Sequence, residues 1–201
     1  GKVKNEERTG ESPSANPGTR VNRRSPLGTK LVSFGYGVFY RIPPRWRSRM
    51  VKLVTARYSV GSVVLIFDSE AAGPERILLL RQPPGRGWTL PAGLLERREP
   101  PIVGACREAA EETGIRLTID QVSPAIPNAV VHHRGHWVDM VFTARVPAAR
   151  TPLSVDGAEV WEARWHAVDE LPVVTPATAR LLGHYGIGPE AHLRDNMDVA
   201  R

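Results

Sequence analysis

Three glutamates, Glu108, Glu111 and Glu112, follow one another at i, i+3 and i+4 in a stretch that reads as helix. With Val103 set at zero, Glu111, Glu108 and Glu112 fall at about 80°, 140° and 180° around the axis, so the three carboxylates share one arc. Ile102, Val103, Cys106, Ala109, Ala110 and Thr113 occupy the opposite arc. That arc is the predicted packing face, which leaves the acidic side toward a cleft or solvent. Like charges so spaced repel by a few tenths of a kcal/mol per pair on an exposed helix. Arg107 compensates one of them, Glu111 at i+4. The others suit a hard divalent cation, because carboxylate oxygens bind Mg²⁺ while the ion keeps some waters and takes phosphate oxygens in its remaining positions. Helix geometry alone leaves a second reading open, and favours it: a solvated acidic face with incidental Glu/Arg pairing.

The elements that must position these residues are legible from composition. Pro100-Pro101 opens the helix and Gly114 ends it where a left-handed cap is wanted. Residues 59–67 (SVGSVVLIF) read as a buried strand rich in β-branched side chains, 68–75 as a turn, and 76–81 (RILLLR) as the returning strand. Trp88 to Gly93 forms a short strand running into a loop, and further strands are expected over 116–119, 125–133, 136–145 and 159–166. A last helix starts at Thr175-Pro176 and ends near Tyr185. Helices separated by strands of mixed character predict an α/β sandwich with a mixed sheet.

Outside this region the chain changes character. Residues 1–30 carry Gly, Pro, Ser, Asn and scattered charge with almost no large apolar side chains, and read as a disordered basic leader. Residues 31–55 are apolar, aromatic and basic, with a short helix expected from Pro43-Pro44 that gathers Trp46, Met50 and Leu53 or Val54 on one side. Residues 1–57 hold 13 Lys and Arg against 3 Asp and Glu, whereas residues 58–201 hold 14 against 18. A basic arm of this kind is either solvated or drawn to nucleic acid or an anionic membrane surface. No apolar run reaches the length that spans a bilayer and no secretory h-region is present, so a cytoplasmic location is expected. Gly1 in place of Met marks a processed or cloned start. The single cysteine, Cys106, excludes an internal disulfide, and nothing around it supplies a zinc site.

The wider spacing around the helix changes the balance between its two readings. Residues 93–115 match, without a gap, the pattern G-x5-E-x7-R-E-U-x-E-E-x-G-U, with U aliphatic, through Gly93, Glu99, Arg107, Glu108, Ala109, Glu111, Glu112, Gly114 and Ile115. The chain resembles the Nudix hydrolase family, and Trp88 to Ala92 before the box and Trp165 with Asp169 to Pro172 after it resemble the family's flanks. The likeness covers roughly residues 56–186. It implies an α/β/α sandwich with a mixed sheet over 56–188, followed by a tail over 189–201. It implies hydrolysis of a diphosphate linkage with Mg²⁺, or Mn²⁺ in its place. Glu108, Glu111 and Glu112 would be metal ligands, Glu108 also a general base, Arg107 the group that orients a box glutamate, and Glu99 a loop ligand. Gly93 and Gly114 are expected to serve the backbone. Arg98 stands where many members carry glycine, and Ala92 and Ala109 also depart from common choices; the first bears on how Glu99 is placed.

Substrate choice is less legible. Val130, Val131 and His132 stand where ADP-ribose and dinucleoside polyphosphate enzymes tend to carry Pro or Tyr, which favours a nucleoside di- or triphosphate or a related derivative. His132, Arg134 and Trp137, with His133 and His136, form a polar and aromatic cluster that either binds base or phosphate or caps a hairpin at Gly135. Glu159 is a further candidate ligand against the alternative of an exposed strand carboxylate. Two other functions stay in view: trimming of an RNA 5′ end gripped by the basic arm, and nucleotide sensing without hydrolysis.

Overall fold

The computed structural model describes residues 34–35 and 37–198, so the leader expected over 1–30 lies outside the described residues. The chain divides into two units, Gly1–Thr55 and Ala56–Arg201. In the first, helix α1 (Pro44–Val54) begins with Pro44 after Pro43, where a missing N–H costs nothing, and closes on the Thr55 N–H to the Val51 carbonyl. The Arg47 guanidinium lies 5.0 Å from the Tyr40 ring centroid and 5.6 Å from that of Phe39. Trp46, Met50 and Leu53 are exposed.

The second unit is built on strand β1 (Ser59–Asp68), with β2 (Arg76–Arg81), β3 (Trp88–Thr89), β4 (Ala92–Leu94), β5 (Val122–His132), β6 (Trp137–Val146) and β7 (Glu162–Ala167) completing a seven-stranded sheet. The order β3-β2-β1-β6-β5 has β4 paired to β1 and β7 to β2. β1 and β6 run parallel over their whole length, from Ser59 opposite Trp137 to Asp68 opposite Val146, and the remaining pairings are antiparallel. Helix α2 (Pro101–Thr113) covers one face, where Ala105 and Ala109 meet Val64, Ile66, Leu78 and Phe142. Helix α3 (Pro176–Gly183) covers the other, where Leu181 and Leu182 meet Val63, Leu65, Ile77, Leu79 and Val141. Covered on both sides, β1 and β2 are apolar along their length instead of alternating. The expected sandwich with a mixed sheet is the fold.

Three expected boundaries differ. Residues 116–119 form no strand: the chain runs extended past Ile115 and Leu117 into a 3-10 turn, Ile119–Gln121, closed by Gln121 Oε1 accepting the Thr118 N–H at 2.9 Å. Ile115 and Leu117 are buried without strand partners, so period-two burial misreads as pairing. β7 starts at Glu162, not 159, because Asp156 Oδ1 accepts the N–H groups of Ala158, Glu159 and Val160 at 3.0, 3.0 and 2.9 Å and curls that segment away from the ladder. The expected tail includes a short helix, α4 (Leu193–Asp198). Among the described residues no helix is long and apolar enough to cross a membrane.

Asp68 ties the open end of β1. Its Oδ1 accepts the N–H groups of Glu70 at 3.1 Å and Ala148 at 3.0 Å, and Oδ2 faces Arg76 Nη1 at 3.4 Å. The Ala148 N–H, above all, holds its carboxyl below the usual range. A depressed carboxyl contributes stability that is complete above the ordinary carboxylate pKa and is lost as pH falls through the folded-state value. Asp68→Ala therefore lowers stability by about 1–3 kcal/mol at neutral pH. Denaturant melts will show the gap from wild type narrowing as the pH drops below 4; a gap that is constant or widens toward acid contradicts this assignment.

Candidate active site

Helix α2 approaches the sheet closely because its inner side is small. A Cβ at Gly104 would stand 2.7 Å from Leu95 Cδ2 and 3.3 Å from Ser62 Oγ, and the Ser62 hydroxyl donates to the Pro101 carbonyl at 2.6 Å. Gly114 ends the helix with φ 75° and its N–H on the Ala110 carbonyl. The packed arc keeps Ile102, Cys106, Ala109 and Thr113 of the expected face but is shifted from it. Gly104, Ala105, Glu108, Ala109 and Thr113 are buried, while Val103 is exposed. Glu108 and Glu112 thus lie on the side turned into the domain, and only Glu111 of the three points outward. The helical wheel misleads here because alanine and glycine, not the larger apolar residues, allow the close contact.

Arg107 is the hub. Its Nε and Nη2 donate to the two oxygens of Glu99 at 2.8 and 3.0 Å, and its Nη1 donates to Glu108 Oε1 at 2.6 Å and Glu111 Oε2 at 3.0 Å. A further bond from Nη2 to the Leu94 carbonyl at 3.1 Å anchors the guanidinium to β4. The side chain expected to offset Glu111 therefore serves three carboxylates. Glu99 is held well below the usual carboxylate range, first by Arg107 and then by the Glu96 N–H. Arg98 takes φ 66°, the left-handed backbone that glycine adopts more easily, so the loop keeps its course and delivers Glu99 to Arg107.

Glu108 and Glu112 are the desolvated pair. Glu108 is 8% exposed, and burial raises its pKa against the opposing pull of Arg107. It presses on Gly93, where an added Cβ would stand 1.9 Å from Glu108 Oε1. A side chain at Gly93 would displace this carboxylate, and its backbone is not left-handed, which corrects the expectation that Gly93 serves the backbone alone. Glu112 Oε2 accepts the Ala92 N–H at 2.9 Å, and Oε1 accepts Gln82 Nε2 at 2.8 Å, with Gln82 Oε1 in turn accepting the Thr89 hydroxyl at 2.9 Å. Burial, then the charge of Glu108 and, more weakly, that of Glu159 push the Glu112 carboxyl up to about 7. Glu159 sits in the exposed segment before β7 and reaches the cluster through this field.

Among the described residues no three His, Cys, Asp or Glu side chains converge tightly enough, as they stand, to hold an ion. The donor chemistry nevertheless fits a hard divalent cation. Glu108 and Glu112 present oxygens in a desolvated place where their charges oppose each other, and Arg107 neutralises only part of the sum. Glu111, with a side chain 59% exposed, has room to move.

Beside β4 opens a cavity of about 500 Å³, floored by Val63, Leu90 and Leu181 and edged by Gly93, Thr89 and Asp139. The three residues singled out for substrate part company. His132 is buried, bonded through Nε2 to Asp139 Oδ2 at 2.9 Å, and stacked on Trp137 at 4.2 Å between ring centres. Arg134 stands exposed in the turn over residues 133–136. His132, Arg134 and Trp137 border a separate cavity of about 670 Å³ with Arg180, and only Trp137 also borders the one beside β4. Sequence reasoning missed Gln82 and Asp139. The signal for Asp139 was present: it is the one acid in the otherwise apolar run Trp137 to Phe142.

Removing the hub tests the electrostatics. Arg107→Met leaves buried carboxylates uncompensated and costs about 3 kcal/mol in stability, and added Mg²⁺ will restore more of the melting temperature in the variant than it adds to wild type. Arg116→Met, on an exposed side chain, serves as control. A melting temperature unmoved by Arg107→Met refutes the hub.

Comparisons with known proteins agree with this geometry. Residues 57–184 match the family described as NUDIX domain. A MutT-like protein of Streptomyces ambofaciens is 42% identical over 70 residues, covering 35% of this chain and 42% of that protein. The CMP-5′-(N-acetyl-N-hydroxy-3-aminopropyl)phosphonate hydrolase of Streptomyces rubellomurinus is 34% identical over 111 residues, covering 51% of this chain and 52% of that one. The chain thus spans about half the length of the curated relatives it matches. The crystal structure of a MutT NUDIX hydrolase from Burkholderia pseudomallei superposes with a TM-score of 0.50 at 30% identity, over 62% of this chain and 95% of that one. With well over half of its residues inside the family match and the box glutamates gathered around one arginine, the chain belongs to the Nudix hydrolase family.

Proposed function

We propose that this chain hydrolyses a diphosphate linkage in a nucleoside triphosphate or another nucleoside diphosphate derivative, with Mg²⁺ or Mn²⁺ at Glu108, Glu111 and Glu112. The observation that carries the reading is the desolvated Glu108 and Glu112 pair beside a nucleoside-sized cavity whose edge, Gly93, touches Glu108. Nudix hydrolases in general use divalent metal ions, and the names of a MutT-like relative and a relative acting on a CMP conjugate support a nucleotide substrate. A bound divalent cation supplies charge neutralisation at the bridging and leaving oxygens and lowers the pKa of water.

The chain's own residues supply the remainder. Arg107 fixes the Glu108 and Glu111 carboxylates, and Gln82 with the Ala92 N–H fixes Glu112. Glu108 Oε1 is engaged by Arg107, which leaves Oε2 to accept the proton of the attacking water. The new bond forms between the water oxygen and one phosphorus as its proton passes to Glu108, the bridging P–O bond breaks, and the electron pair leaves on the second phosphate fragment. Glu99 acts through Arg107 as a positioning group, and Glu159 is a secondary ligand candidate through its field at Glu112. Of His132, Arg134 and Trp137, we place Trp137 on the substrate side, with His132 behind it and Arg134 at the neighbouring cavity, and the compartment we propose is the cytoplasm.

A second reading, trimming of an RNA 5′ end, is favoured by one observation: α1 presents Arg45, Arg49 and Lys52 to the surface with no acidic residue in the helix. Deleting residues 1–55 spares hydrolysis of free nucleotides and, on this second reading, weakens hydrolysis of triphosphorylated RNA at moderate salt.

The deciding experiment is a screen of nucleoside triphosphates, sugar nucleotides, dinucleotides and capped RNA, read by released phosphate and pyrophosphate. Turnover is expected with Mg²⁺ and lost on chelation, and Glu112→Gln should reduce kcat by about a hundredfold or more while the melting transition stays cooperative. Near-normal turnover in Glu112→Gln sinks the assignment, and binding of nucleotide without any turnover favours a sensing role.

A further inference from the structure

The cavity beside β4 has a single charged side chain in its lining, Asp139. Its two oxygens are treated very differently. Oδ2 accepts from His132 Nε2 at 2.9 Å and from Trp137 Nε1 at 3.1 Å. The indole and imidazole rings stack at 4.2 Å with 12° between their planes, so the two donors are locked together. A carboxylate only accepts, which fixes the hydrogen of neutral His132 on Nε2. Burial lowers the His132 pKa and favours that neutral form. Oδ1 has no hydrogen-bond partner among the described residues. It lies against the cavity wall at Gly61, where an added Cβ would stand 3.0 Å from it and 3.0 Å from the Gly93 carbonyl oxygen.

A purely structural role, bridging His132 to Trp137, accounts for Oδ2 and leaves Oδ1 unexplained. The side chain is 14% exposed and Oδ1 is not among the fully buried atoms, so it opens to the cavity, where water or a ligand's donor meets it. The remaining polar groups of the lining are hydroxyls and Gln82, over an apolar floor of Val63, Leu90 and Leu181. Such a cavity suits a flat ring with an apolar body and one N–H edge.

We propose that Asp139 determines substrate specificity, its Oδ1 accepting the exocyclic amino group of an aminated nucleobase such as cytosine or adenine lodged beside Gly61. Uracil and hypoxanthine carry a carbonyl in place of that amino group and their ring N–H one position away, so in the same seat two acceptors would face each other once the base displaces water. An apolar pocket separates such pairs weakly, whereas a fixed buried hydrogen-bonding group separates them strongly. Because Oδ2 is saturated, the carboxylate reads one donor. Guanine, whose adjacent N–H groups suit both oxygens of a free carboxylate, is therefore served only in part. The biological sense of this inference rests on the hydrolase reading, but base recognition can be measured without turnover.

The test is calorimetric titration of the full chain, with Mg²⁺ present, using CMP, UMP, AMP and IMP. Each pair exchanges an amino edge for an oxo edge. CMP is expected to bind more tightly than UMP, and AMP than IMP, by roughly tenfold or more. In Asp139→Asn the His132 and Trp137 donors hold the amide oxygen, so the NH₂ group faces the cavity. The CMP to UMP affinity ratio should then fall to about one or invert, with UMP still bound. Equal wild-type affinities within each pair, absence of binding by all four, or an unchanged ratio in a folded Asp139→Asn overturns the proposal. If that variant does not fold, the wild-type pairs decide alone. The hydrolase reading fails separately: a clear CMP preference in a chain that turns over no nucleotide keeps Asp139 as the base reader and removes the reaction.

Discussion

One guanidinium holds the acidic site together. Arg107 bonds to Glu99, Glu108 and Glu111 and to the Leu94 carbonyl of β4, and each of these contacts constrains a different part of the chain. The loop before α2 must bring Glu99 back, which sets Arg98 in the left-handed region. β4 must run beside the helix, which leaves no room for a side chain at Gly93. The helix must come close to the sheet, which its small residues Gly104, Ala105 and Ala109 allow. A planar fork with five donors can bind three carboxylates and a carbonyl together, and a lysine cannot.

The sheet turns that local network into a site. β1 pairs with β2, β4 and β6, so one strand carries the register of the glycine loop, of the strand leading to Gln82 and of the strand bearing Asp139. In the parallel pairing Gly61 stands opposite Asp139, and in the antiparallel one it stands opposite Leu94. Glycine at 61 thus lets the acid cluster and the cavity share a wall. Burial on both faces makes this strand continuous and stiff, and a stiff strand keeps charged groups in place when their desolvation works against them.

Much of this was readable from residue types. The spacing of Gly93, Glu99, Arg107, Glu108, Glu111 and Glu112 pointed to the family, and Pro101 and Gly114 gave the ends of the helix. The buried face is shifted from the expected one at Val103 and Ala105, because hydrophobicity ranks Val103 above Ala105 while close packing against a strand ranks them the other way. The strand expected over 116–119 failed because Ile115 and Leu117 are buried without pairing. Gln82 and Asp139 were missed for a different reason. Their meaning depends on contacts between distant parts of the chain, Gln82 with Glu112 and Asp139 with Gly61; the apolar run around Asp139 marks it as unusual but not what it faces.

On the proposed reaction, the carboxylates around Arg107 direct water onto a phosphorus of a nucleotide diphosphate linkage. Turnover in ¹⁸O-enriched water with Mg²⁺, followed by mass spectrometry of both products, tests it most directly. One ¹⁸O atom per turnover is expected, carried by a single product phosphate, since one P–O bond forms to water and the bridging bond breaks. Nucleotide that binds and is recovered intact, or products that form without taking up label, would contradict it.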